Sequence, residues 1–197
     1  MPHRSFAIVA GFALTAAAAN AQVLWDELGQ GDLSDDRFHP TQLTLQPGSN
    51  LLFGIIDGDD GTGNIDRDYF TFTVPAGYAL SEITLTNYFS ADFAAFFGVQ
   101  PGPVFPDDPD TVRPGDLLGW TLFGGSLQGS DILPLMAANG QTFTPPLPAG
   151  TYSFWAQQLD SYTEWVPDFV VTPVPGIGGL GVAAVSLLAW PRRRRGL

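Results

Sequence analysis

From residue 41 to residue 172 the chain alternates apolar and polar side chains in short runs broken by Gly, Pro and Asp. Tyr69-Phe70-Thr71-Phe72-Thr73-Val74 is the clearest run. Phe70, Phe72 and Val74 share one face and the threonines the other, the period of a half-buried strand. Pro75-Ala76-Gly77 turns the chain, and Ile83 and Leu85 continue inward with Glu82, Thr84 and Thr86 outward. Phe93 to Gln100 is more fully apolar and predicts a central strand. Thr41 to Leu45 and Leu51 to Ile56 flank Gln46-Pro47-Gly48-Ser49, a Pro-Gly turn between two strands. Leu117 to Phe123, Thr151 to Gln158 and Trp165 to Thr172 complete the set. Only Asp131 to Asn139 reads as helix, with Asp131 as cap, Pro134 in the first turn and Gly140 as the stop. About eight strands separated by turn signals predict an all-β fold: a single two-sheet antiparallel β-sandwich, jelly-roll-like.

Both ends break this pattern. At the front, Arg4 supplies a positive start, Phe6 to Ala18 is apolar, and Ala19-Asn20-Ala21 is a small-x-small cleavage site. That is the layout of a secretory signal peptide, residues 1–21, with a helical apolar stretch too short for a lasting membrane span. At the back, Pro173-Val174-Pro175-Gly176 forms a hinge. An uncharged run from Ile177 to Trp190 follows, and Arg192-Arg193-Arg194-Arg195 ends it. As a helix the run and its edges reach roughly 25 Å, short of a bilayer core of about 30 Å, and such a span inserts by thinning the bilayer or tilting less. Trp190 sits where an interfacial aromatic belongs, and the arginines favour the cytoplasmic side. The expectation is a C-terminal transmembrane helix with the body, residues 22–172, on the far side of the membrane.

This tail, residues 173–197, resembles the PEP-CTERM sorting signal of bacterial envelope proteins on the hinge, the Gly/Ala/Leu run and the arginine cluster. The resemblance covers about 25 of the 197 residues. Pro173-Val174-Pro175 lacks the glutamate of the family's namesake motif and reads as a Val-Pro-x-Pro-Gly-type variant. The resemblance implies secretion machinery and an exosortase-type membrane protease as partners. It also implies transient anchoring in the cytoplasmic membrane and a destination in the cell envelope, on the outer surface or outside the cell.

Charge narrows what the body can meet. All twenty acidic residues lie between Asp26 and Asp168, and only Arg37, Arg67 and Arg113 oppose them, which leaves the body near −17. Such a surface repels phosphate backbones and excludes nucleic acid as a partner. Cations and neutral partners such as extracellular polysaccharide are compatible with it. The chain has no cysteine, so packing or a metal must brace the domain without disulfides. About 150 residues suffice for one domain with a core of its own.

The densest chemistry is Asp57-Gly58-Asp59-Asp60-Gly61-Thr62-Gly63-Asn64-Ile65-Asp66-Arg67-Asp68. Five carboxylates and an amide on a Gly-rich loop suit calcium, which takes six to eight oxygens from flexible loops. Asp57, Asp59, Asp66 and Asp68 are the candidate ligands. The loop is not an EF-hand, because Gly61 stands at the third ligand position, Thr62 replaces the turn glycine and no helices flank it. Two readings stand: a structural calcium site, and a solvated acidic turn that needs no cofactor. A second acidic set, Asp26, Glu27, Asp32, Asp35 and Asp36, adjoins the loop only if the N-terminal segment folds back.

Two further phrases, Asp68 to Gly77 and Leu147-Pro148-Ala149-Gly150-Thr151-Tyr152, resemble the hallmark strands of bacterial pre-peptidase C-terminal domains, loosely over about 100 residues. The resemblance implies a non-catalytic β-sandwich accessory module, in some members calcium-bound or glycan-associated. The fold by itself does not fix a function.

Pro101 to Asp116 holds five prolines and four aspartates and predicts a long surface loop. Trp155, Tyr162 and Trp165 would stack on sugars if exposed and would be core if not. Catalysis finds little support. His39 is the only histidine of the body, no Gly-x-Ser-x-Gly elbow occurs, and Glu27, Glu82 and Glu164 are the only glutamates. The sequence therefore points to an exported, non-catalytic envelope or matrix protein. The alternatives are a carbohydrate-binding module, with or without calcium, and a small acidic glycosidase with a carboxylate pair.

Overall fold

The computed structural model describes residues 21–58, 65–141 and 143–175. Residues 1–20, Asp59, and the tail from Gly176 onward lie outside the described residues, and with them Ala19, the expected signal and transmembrane helices and Arg192 to Arg195. Among the described residues no helix is long and apolar enough to cross a membrane.

Among the described residues nine strands form two sheets. β1 (Gln22–Asp26), β3 (Asn50–Ile56), β9 (Thr163–Pro173) and β5 (Tyr78–Ser90) make a four-stranded sheet in the order β1-β3-β9-β5. β2 (Thr41–Gln42), β4 (Arg67–Val74), β8 (Gly150–Gln157), β6 (Ala95–Pro101) and β7 (Gly119–Phe123) make a five-stranded sheet in the order β2-β4-β8-β6-β7. The strand expected at 93–100 is therefore flanked on both sides, but β8 holds the centre. Phe93 precedes the strand and is fully exposed.

The sheets face each other over one apolar core. Phe70, Phe72 and Val74 point into it, as the alternation requires, and meet Ile83, Leu85, Trp165 and Phe169 from the other sheet. The rings interlock: Phe72 lies 4.7 Å from Phe154 and 5.2 Å from Phe169, centre to centre. Burying such side chains contributes about 1.5–3 kcal/mol each, and offset or tilted aromatic pairs add to that.

Two expectations are corrected. The sandwich is not wholly antiparallel, because β1 pairs parallel with β3 and β2 parallel with β4. Both pairings follow long connections, which parallel neighbours require. The turn at Gln46–Ser49 does not join a hairpin either, since β2 and β3 belong to different sheets. It is pinned by Asn50, buried, whose Nδ2 lies 2.9 Å from the carbonyls of Gln46, Gly48 and Phe169.

The expected helix is α2 (Leu133–Asn139). The N-cap position falls on Ile132 and not on Asp131 as expected; Asp131, one residue earlier, has its Oδ1 accept from the N–H of Leu133 and of Ile83, each at 3.0 Å, and so ties the first turn of the helix to β5. The sequence pattern did not reveal α1 (Glu27–Gln30), a single turn capped by Asp26. The proline-rich segment 101–116 is more than a surface loop. Phe105, fully buried, packs with Leu117 against Tyr69 and Trp155 and covers the outer face of the five-stranded sheet.

Candidate acidic cation site

The N-terminal segment does fold back. It begins on the four-stranded sheet as β1 beside β3 and passes through α1. Ser34 then bridges to Tyr69 of β4, and the segment ends on the five-stranded sheet as β2 beside β4. Residues 27–40 thus run across the edge between the two sheets. Leu33 is buried and fixes this course.

The crossing carries acidic residues onto the start of β4. One carboxylate oxygen each from Glu27, Asp32 and Asp68 lie within 4.8 Å of one another, and so do oxygens from Asp32, Asp35 and Asp66. Asp32 belongs to both trios. The cluster is graded in depth: Asp68 and Glu27 are buried, Asp66 half-buried, Asp32 and Asp35 exposed.

Backbone donors hold several of these groups in place. Glu27 Oε1 accepts from Leu33 N–H at 2.8 Å, and its Oε2 accepts from Ile55 N–H of β3. Asp66 Oδ2 accepts from Asp57 N–H at 2.7 Å. Asp68 differs, because neither of its carboxylate oxygens has a hydrogen-bond partner although the residue has no solvent exposure.

Burial governs the protonation of the cluster. It pushes Glu27 up to about 7, against its two backbone hydrogen bonds and helped by the charges of Asp32 and Asp66. Burial also raises Asp66 to about 6, and it holds Asp68 well above the usual carboxylate range, with the charge of Glu27 next in importance. Asp32 is raised by burial and by Asp35. Arg67, next in sequence, turns away: its Nη2 meets Asp110 at 2.5 Å and its Nε donates to Gln157 at 3.2 Å.

Of the four ligands expected from sequence, Asp66 and Asp68 meet in this cluster. Asp57 is exposed and contributes its backbone N–H, and Asp59 lies outside the described residues. Glu27, Asp32 and Asp35 complete the site from the other acidic set. The available signal was Leu33, an apolar residue placed among Asp32, Ser34, Asp35 and Asp36. Of the sorting motif, Pro173 ends β9 and Val174 N–H donates to Gly77 carbonyl at 2.8 Å, so the chain leaves the sandwich there. Trp155 and Trp165 are both buried, which removes them as sugar-stacking platforms. Compared with known proteins, the chain matches no family model, no curated protein and no solved structure.

Proposed function

We propose that this chain is an exported, non-catalytic β-sandwich module of the cell envelope or extracellular matrix, jelly-roll-like, and sorted by its C-terminal tail. The observation that carries the reading is the tail itself. Pro173 ends β9, the last strand of the core, and Val174-Pro175-Gly176, the uncharged run to Trp190 and Arg192 to Arg195 follow directly in the sequence. An apolar run abutting four arginines is suited to a membrane and not to a soluble core. The signal-like residues 1–21 support the same arrangement, with the body on the far side of that membrane from the arginines.

The non-catalytic reading draws on where the candidate groups sit. His39 stands exposed at the surface, Nδ1 2.7 Å from Asp36, open to bulk water. Glu82 and Glu164 are exposed on separate strands of the four-stranded sheet. The innermost carboxylate of the acidic trios, Asp68, is shut off from solvent and so from any substrate.

Cell fractionation tests the reading, using the full chain and one ending at Thr172. The full chain is expected in the membrane or envelope fraction and the shortened one in the medium. Equal release of both would remove the sorting function.

A polysaccharide-binding role rests on a separate observation. A groove of about 420 Å³ on the outer face of the four-stranded sheet is lined by exposed Phe53, with Thr86, Asn87 and Glu164 beside it. An aromatic face bordered by hydroxyl, amide and carboxylate groups suits a sugar ring. Retention of the protein on insoluble polysaccharides, lost in Phe53→Ala, is the corresponding test.

A further inference from the structure

We propose that the adjoining trios of Glu27, Asp32 and Asp68 and of Asp32, Asp35 and Asp66 form a calcium-type divalent-cation site that clamps the N-terminal segment across the two sheets. Two oxygens bound to one calcium ion lie at most twice the 2.3–2.6 Å ligand distance apart, about 5 Å. Each trio, with its oxygens within 4.8 Å of one another, fits inside that limit, and the shared Asp32 sets the two trios side by side.

Acidic clusters are common without an ion, so the second observation decides. Asp68 has no solvent exposure, and both its oxygens lack a hydrogen-bond partner while one of them faces Glu27 and Asp32 in the buried trio. A buried carboxylate left unpaired is costly. The described residues supply no cation to it, since the ion pairs among them are His39 with Asp36 and Arg67 with Asp110. A bound divalent ion satisfies the orphaned oxygens and relieves the repulsion among the five groups.

The donor set names the class of ion. All the side chains are carboxylates, which suit hard cations, whereas zinc and copper favour imidazole and thiolate. Calcium accepts an irregular shell of six to eight oxygens, while magnesium demands a tight octahedron. Glu27 is already oriented by Leu33 and Ile55 N–H, each of its oxygens keeping a lone pair for the ion. The exposed Asp32 and Asp35 give an entry path and leave room for water ligands.

The consequence lies in where the ligands come from. Glu27, Asp32 and Asp35 belong to the N-terminal segment, and Asp66 and Asp68 to the start of β4. The ion therefore ties the segment that leads into the domain to the five-stranded sheet. This coupling is independent of whether the tail sorts the protein.

The test is calorimetric titration of the purified full-length chain, in mild detergent and stripped with EDTA, with calcium alone and with magnesium alone. Saturable calcium binding is expected below about 1 mM, with magnesium at least about tenfold weaker. Calcium should also slow proteolytic cleavage within residues 27–40 by about tenfold, because local opening then requires losing the ion. Asp68→Asn should abolish calcium binding and at the same time raise the melting temperature of the metal-free protein. An aspartate with a merely structural hydrogen bond would not do the latter. Asp35→Asn, at an exposed position that leaves the fold intact, should weaken calcium about tenfold and decides the matter if Asp68→Asn does not fold. No saturable binding up to about 10 mM calcium, or unchanged affinity in Asp35→Asn, would overturn the proposal.

Discussion

Trp165 lies across Gly54. The two residues are register partners in β9 and β3, and a β-carbon at position 54 would overlap the indole Nε1 and crowd Leu52. The absence of a side chain at Gly54 is what lets the fully buried ring reach Phe97 and Phe123 across the core. Gly54→Ala should therefore displace the indole and cost about 1–3 kcal/mol, as overpacked cores do. Gly115→Ala, with nothing near its would-be β-carbon, should stay within about 0.5 kcal/mol. Thermal melts of the two variants compare them, and equal losses would mean that the ring does not depend on the glycine.

The register of β4 gives a second expectation. Phe72 is buried between Phe154 and Phe169, whereas Thr73 is exposed and shares a 2.8 Å hydrogen bond with Thr151. Phe72→Asp places a carboxylate in the core and should unfold the domain or force the acid to remain protonated. Thr73→Asp should cost no more than about 1 kcal/mol, because only a solvent-exposed hydrogen bond is lost. Circular dichroism melts decide, and comparable losses would place the strand one residue out of register.

Asp131 supplies a third. Its Oδ1 accepts from both Leu133 and Ile83 N–H, so one oxygen satisfies the first free donor of α2 and a donor of β5. Asp131→Ala should destabilise by about 1–2 kcal/mol, towards the upper end of cap losses because a second, strand donor is orphaned as well. Asp131→Asn should recover most of it, since the amide oxygen can accept the same bonds. Urea unfolding of both variants measures the difference, and no recovery by asparagine would assign the effect to charge instead of these hydrogen bonds.

Strands were legible where burial has a short period. Phe70-Thr71-Phe72 and Ile83-Thr84-Leu85 state their inner face within a few residues, and Asp131 and Gly140 mark helix ends by local chemistry. The candidate site was half legible for a physical reason. Asp66 and Asp68 stand in an acidic run, but Glu27 and Asp32 reach them only through parallel pairings of edge strands. Such pairings leave no trace in local periodicity. Nor does period-two alternation say that an outer face is covered, so Thr71, buried and donating to Tyr152 carbonyl beneath the proline-rich segment, reads as a solvated threonine.

The protonation of the acidic cluster sets the last expectation. In the folded protein burial raises Glu27 to about 7 and Asp66 to about 6, and holds Asp68 well above the ordinary range. In the unfolded chain these groups ionise near pH 4. Between those limits the folded state therefore binds more protons than the unfolded one, and stability falls as pH rises. For carboxylates raised by folding the penalty is absent below the unfolded value and complete above the folded one, the reverse of ordinary acid denaturation. The metal-free protein should melt several degrees higher at pH 5 than at pH 8. Asp68→Asn should flatten this dependence by removing the most deeply buried charge. Saturating calcium should oppose it, since the ion stabilises the ionised form that the low-dielectric site otherwise penalises. Melting curves in EDTA at pH 5, 6, 7 and 8, repeated with calcium, test all three statements. A metal-free melting temperature that climbs steadily from pH 5 to pH 8 would show that the cluster ionises without strain and that its burial is shallower than the geometry requires.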